Sequence, residues 1–240
     1  MSAPGREPLL LLAALGVLAA GAIALSLATA PPVAEQQLQI GAGATAGVGS
    51  FVMDLTNTVT TNSVVPGRAP QVQRSSVHFV YQAPDRIDET LKNANGRTVE
   101  IICIADDRWE RTAGGNWVQL PAGARGAVST CQSAVDNVVL VPAKAAANGT
   151  PVVRHGKTSS ATYTYGLAPA DLASVFRVLF GVPATAVSGH LFAASIDKEY
   201  VVSQLFHAAA GNQTDDIGVR YSELGTAPAI APPAPARPAG

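Results

Sequence analysis

From Ser50 to Ser222 the chain is a succession of short runs rich in β-branched and aromatic residues, each stopped by turn residues. That texture restricts it to a sheet built from many short strands. Side chains on a strand alternate between two faces, so apolar residues at every second position bury one of them. Ser76–Tyr81 follows this rule with Val77, Phe79 and Tyr81 until Pro84 interrupts. Phe51–Thr60 is rich in strand formers and is followed by the break at Pro66-Gly67. Ile87–Leu91 leads to Asn95-Gly96, a strong signal for a two-residue hairpin. Thr98–Ile104 is apolar on both faces except at Glu100, which predicts a mid-sheet strand covered on its second side. Arg108–Arg111 and Asn116–Leu120 flank Gly114-Gly115 as a further hairpin. Thr158–Tyr165, Ser188–Ser195, Lys198–Phe206 and Gly218–Ser222 complete the strand candidates.

One helix is predicted in this stretch. Pro169 suits its first turn, Asp171 favours the positive end of the dipole, and Gly181 stands past its end. Leu172, Val175, Phe176 and Leu179 fall at i, i+3, i+4 and i+7, a single apolar stripe widened by Val178 and Phe180. A stripe this broad must be covered. Ala122–Lys157 is less legible, and Val135–Val141 reads equally as a strand or a helix end. The fold class is α+β: an antiparallel sheet of eight or more strands with one or two helices against one face.

The flanks are of different composition. Leu9–Ala30 is a run of 22 residues without a charge, which reads as a signal peptide or an N-terminal membrane anchor. Ser26-Leu27-Ala28 offers a small-x-small cleavage site, and the uncut run is long enough to span a bilayer. Residues 1–30 therefore place the rest outside the cytoplasm, secreted or anchored to the cell membrane by residues 9–30. Residues 31–49 are rich in Ala and Gly and read as a linker, with at most a short helix. Gly41, Gly43 and Gly47 lack the preceding strand that a dinucleotide loop needs. Residues 50–228 form one domain, and residues 229–240 read as a disordered Pro/Ala tail. Cys103 and Cys131 both follow the apolar run, and in an oxidising compartment such a pair is more often bridged than free.

Catalytic chemistry finds no constellation. The four histidines, His78, His155, His190 and His207, form no HExxH or close ligand pair, and no GxSxG elbow occurs. Asp106 and Asp107 are chain neighbours that an extended backbone points apart. No catalytic residue, metal or cofactor is expected. A formal net charge of -1 offers no basic stripe for phosphate, so nucleic acid is not an expected partner. What remains is apolar surface, which makes either a filled core or a ligand cavity.

The order of segments bears on that choice. Val77-His78-Phe79-Val80-Tyr81-Gln82-Ala83-Pro84-Asp85-Arg86-Ile87 resembles a phrase of bacterial lipoprotein carriers of the LolA type and of the actinobacterial LppX/LprG lipid-transfer lipoproteins. Val99–Ile104 with Asp107-Arg108-Trp109, then Gly115-Asn116-Trp117, then Tyr221–Pro228 resemble further pieces of that family in the same order. The resemblance implies a curved antiparallel half-barrel whose concave face is plugged by helices around an apolar cavity. It implies a lipid or other amphipathic ligand, a membrane surface that supplies it, and binding without bond-making. From apolar pattern, Phe79, Tyr81, Ile101 and Trp117 are the candidate sheet residues near the cavity. Leu172, Val175, Phe176 and Leu179 are those of the helical plug. The chain departs from the lipoprotein branch in having no cysteine just after its apolar run; its first is Cys103. A sensor or interaction module on the same fold, with an envelope protein partner, is the alternative expectation.

Overall fold

The computed structural model describes residues 33–120, 138–148, 150–156, 160–180 and 183–234. All elements belong to the unit that begins at Ala34. Leu9–Ala30 and Cys131 lie outside the described residues. Among the described residues no helix is long and apolar enough to cross a membrane.

Eleven strands make one antiparallel sheet in the order β6-β5-β4-β3-β2-β1-β11-β10-β9-β8-β7. They are β1 Ser50–Thr61, β2 Gln71–Gln82, β3 Arg86–Lys92, β4 Thr98–Ile104, β5 Asp107–Thr112 and β6 Val118–Leu120 on one side. On the other are β7 Val152–His155, β8 Ser160–Tyr165, β9 Gly189–Asp197, β10 Tyr200–Ala210 and β11 Gln213–Ser222. The meander closes on itself in sequence only at β1 and β11, whose ladder runs from Val52↔Ser222 to Thr61↔Gln213. The edge strands β6 and β7 are short and do not pair with each other, so the sheet is open. Short edges also limit the template that an unpaired strand offers to other chains.

Among the described residues three α-helices accompany the sheet: α1 Ala34–Gly47, α2 Val141–Ala147 and α3 Pro169–Val175, the last continuing as a π turn over Phe176–Phe180. One continuous core joins Tyr81 of β2, Phe206 of β10, Tyr163 of β8 and Leu38 of α1. On a flat sheet β2 and β8 would lie about 24 Å apart at the usual strand spacing. Residues of both strands join this one core with the helices, in an open half-barrel sheet.

The helix α1 corrects the reading of residues 31–49 as a linker. Its inward stripe is Leu38, Gly41, Ala42 and Thr45, all buried, at i, i+3, i+4 and i+7. Only Leu38 is bulky, so the stripe carries little hydrophobic signal, yet small residues are what allow a helix backbone to lie close on a sheet. A Cβ at Gly41 would come within 2.7 Å of Ile196 Cδ1. Thr45 then serves the backbone of β10 at its irregularity between Val201 and Ser203. Its hydroxyl accepts from Val201 N at 2.8 Å and donates to Gly41 O at 2.9 Å. A bulge leaves backbone groups out of the ladder, and here a helix side chain satisfies one of them.

The start of the tail is corrected as well. Ile230 is 5% exposed and packs with Val52, Val80 and Ile102 on the outer face. Its carbonyl accepts from Arg86 Nη1 at 2.9 Å, and its N–H donates to Gln82 Oε1 at 3.2 Å. Residues 235–240 lie outside the described residues. The strands themselves run longer than their sequence signals: β2 begins at Gln71, and β7 arises in the stretch that pattern left illegible. The Asn95-Gly96 turn is a longer connection between Lys92 and Thr98, in which Asn93 N donates to Arg97 O at 2.9 Å and Gly96 takes φ of 82°.

Candidate functional site

The site is the concave face of the sheet, and the registers define which side chains reach it. On β1 and β2 the pairs Phe51↔Tyr81, Met53↔Phe79 and Leu55↔Val77 point inward. Continuing the same phase, Ile87, Glu89 and Leu91 of β3 meet Cys103, Ile101 and Val99 of β4. In the other direction Tyr221, Val219 and Ile217 of β11 lead to Gln204 and Phe206 of β10. Ala194 and Phe192 of β9 follow, then Tyr163 and Tyr165 of β8.

Of the residues expected from the sequence, Phe79 and Tyr81 lie in this interior, 2% and 5% exposed. Ile101 shares their face, half-buried beside Glu89. Val175 and Phe176 are buried in the same core, and Leu172 packs against it. The side chain of Leu179 lies outside the described residues. The expectation for Trp117 is corrected: it packs on the opposite face with Val52, Val80, Ile102 and Ile230. There the Arg111 guanidinium lies 4.5 Å from its ring centre, held in turn by Glu100. Trp117 precedes β6, so the alternation of a strand does not apply to it, and the apolar outer cluster takes it instead.

The plug is not the uniform α-helix of the sequence stripe. After Val175 the chain changes to a π turn over Phe176–Phe180, and Phe176 and Phe180 are both buried with their rings 5.8 Å apart. Phe176 meets Phe192 at 6.1 Å and His190 at 5.6 Å, and Phe192 meets Tyr165 at 6.1 Å and Phe206 at 5.9 Å. This aromatic patch seats the π turn on β8, β9 and β10. π turns in other proteins concentrate at functional sites.

Sequence reasoning missed the polar residues of the face. Buried side-chain polar atoms without a hydrogen-bond partner include Asn57 Oδ1, Tyr165 Oη, Gln204 Oε1 and Asp215 Oδ1. By register all four point to the concave side. Gln204 donates to Tyr221 Oη at 2.7 Å and to Val138 O at 3.1 Å, which leaves its carbonyl oxygen bare. Burial holds the Tyr165 hydroxyl well above the usual range, with Tyr221 adding to it. Burial first, and Asp216 second, push the Asp215 carboxyl up to about 6, against a hydrogen bond from Asn57 and the nearby His207. Glu89 is also raised by burial, with Arg108 drawing it back. The available signal was a polar residue in the apolar phase of a strand, as Gln204 is with Phe206 and Asp215 is with Ile217 and Val219.

The outer face differs in kind. It carries His78 against Asp54 and His207 against Asp216, each at 2.7 Å, on half-exposed side chains. Asp54, Thr56, Ser203, Gly218 and Arg220 of that face line a groove of about 420 Å³ with Gln204 and Val219. Among the described residues no cluster of three or more His, Cys, Asp or Glu could hold a metal ion. Cys103 lies half-buried against the concave core. The expected pairing with Cys131 involves a residue outside the described ones.

No family model and no curated protein sequence matches the chain. Among solved structures it is similar to LprF from Mycobacterium bovis, at a TM-score of 0.48 and 14% identity, covering 88% of this chain and 99% of that one. It is also similar to a LolA superfamily protein from Nitrosomonas europaea, at a TM-score of 0.31 and 12% identity, covering 80% and 92%.

Proposed function

We propose that this protein binds a lipid or another amphipathic ligand between the concave face and its helical plug, outside the cytoplasm, and carries it without making or breaking bonds. The observation that supports this reading is the placement of the bare polar atoms of Asn57, Tyr165, Gln204 and Asp215. Each unsatisfied buried group costs about 1–3 kcal/mol, and native proteins keep few of them. Here they share one face, the face turned toward the helices, amid aromatic and aliphatic side chains. A surface built only as core gains nothing from them. A surface that meets an amphiphile uses the apolar area for the chains, at about 0.8 kcal/mol for each buried methylene, and the polar atoms for the head. The π turn at Phe176–Phe180 is the natural point of entry, because it is where the cover departs from regular helix.

A second reading, an interaction module for an envelope protein, draws on Val153, Leu191 and Leu205. They are exposed on the outer face of β7, β9 and β10. Native mass spectrometry of the purified protein separates the two. One equivalent of a co-purifying or added amphiphile is the expected result. A protein that arrives empty and takes up none from lipid vesicles would sink the carrier reading. The intact mass in the same measurement reports whether the chain is cut after Ala28. In non-reducing peptide maps a linked Cys103–Cys131 peptide is expected, and two alkylatable thiols would remove the proposed disulfide.

A further inference from the structure

Asp215 and Asn57 stand on adjacent strands, β11 and β1, in the inward phase of both. The Asn57 amide donates to the Asp215 carboxyl, which leaves Asp215 Oδ1 and Asn57 Oδ1 without partners. Both bare atoms are acceptors, and Asp215 is only 6% exposed. Ala208, opposite Asp215 on β10, and Ile217, two positions along β11, are buried and apolar. The neighbours His207 and Asp216 point to the outer face, with His207 Nδ1 2.7 Å from Asp216 Oδ1. Among the described residues no ion pair holds the inward Asp215 carboxyl. A buried carboxylate in apolar surroundings is costly unless a charged donor reaches it.

Resting on the reading of a bound amphiphile, the geometry points to Asp215 and Asn57 as a headgroup subsite for a primary ammonium. Its three N–H donors suit two bare acceptors, and its charge suits the carboxylate. The apolar chain then continues along the inward side chains Ile217, Phe206 and Phe192. A hydroxyl offers one donor and no charge. A quaternary ammonium keeps the charge but has no N–H. An ester sets acceptors against acceptors.

The test measures binding of dodecylamine, dodecyltrimethylammonium, dodecanol and methyl dodecanoate, below their micellar concentrations, to the full chain and to Asp215→Asn. Calorimetry is expected to find the primary amine about ten-fold or more tighter than the other three on the wild type. Asp215→Asn removes that preference, and Asn57→Ala reduces it. Carbon NMR of the wild-type Asp215 carboxyl provides a second readout: the amine should hold it ionised to a lower pH than the ester does. A preference that survives in Asp215→Asn, or a carboxyl signal indifferent to the amine, overturns the subsite. Equal binding of all four ligands overturns the subsite alone, and binding of none overturns the amphiphile reading beneath it.

Discussion

Replacing Phe192 by alanine is expected to destabilise the fold by about 3–5 kcal/mol, the range for a fully buried aromatic. For a domain of this size that corresponds to a fall in melting temperature on the order of 10 °C. Phe192 is 0% exposed and stands where four other rings converge: Tyr165, Phe176, His190 and Phe206. It joins three strands to the π turn, so its loss opens a cavity that a curved sheet cannot collapse around. Leu191, its neighbour on β9, points outward and is 47% exposed. Leu191→Ala is expected to stay within about 0.5 kcal/mol of wild type. Urea denaturation of the two variants side by side checks this. A Phe192→Ala loss under about 1 kcal/mol would mean that the aromatic patch does not hold the plug.

The second large effect is a pH dependence that Asp215→Asn removes. The Asp215 carboxyl ordinarily titrates at 3.8 and is raised to about 6 in the fold, chiefly by burial. The folded state therefore binds the proton more tightly than the unfolded chain does. Below about pH 4 both states are protonated and no penalty arises. Between about pH 4 and 6 the unfolded chain ionises first, and stability is lost as the pH rises. Above about pH 6 the loss is complete, on the order of 2–3 kcal/mol for a shift of roughly two units. Asp88 and Glu89 are also raised by burial and act in the same direction, but they remain in the variant. The difference between wild type and Asp215→Asn isolates the one group. Free energies of unfolding for ligand-free protein at pH 4, 5, 6 and 7 should show the variant gaining on the wild type through this window. A difference that does not change with pH would show that the carboxyl is not buried as described.

These two residues also mark the limit of what pattern can reveal. Phe192 was legible only as part of the strand candidate Ser188–Ser195, since Leu191 beside it is equally apolar. Asp215 was not, because hydropathy scores a carboxylate as surface whatever face it occupies. The same holds for Gln204 and Asn57. Helix α1 was read as at most a short helix in a linker for the opposite reason: Gly41, Ala42 and Thr45 make a good packing stripe through being small, and smallness carries no apolar signal. Trp117 was misassigned because it was read by character alone, and a large ring satisfies an outer cluster as well as an inner one. The stripe placed Phe176 and Phe180 on a covered face, where both are buried, but it did not reveal the change to π geometry.

By itself the sequence determined the class of fold, since alternation with a period of two, repeated between turn residues, is a local property that antiparallel strands must satisfy. It also marked Phe79, Tyr81, Val175 and Phe176 as interior. Only the tertiary structure decided which half of each alternation faces inward, how far the sheet curves, and that bare polar atoms of Asn57, Tyr165, Gln204 and Asp215 share the concave side. Those depend on register, and register is set by pairings between residues as distant as Asn57 and Ile217, which no local pattern contains.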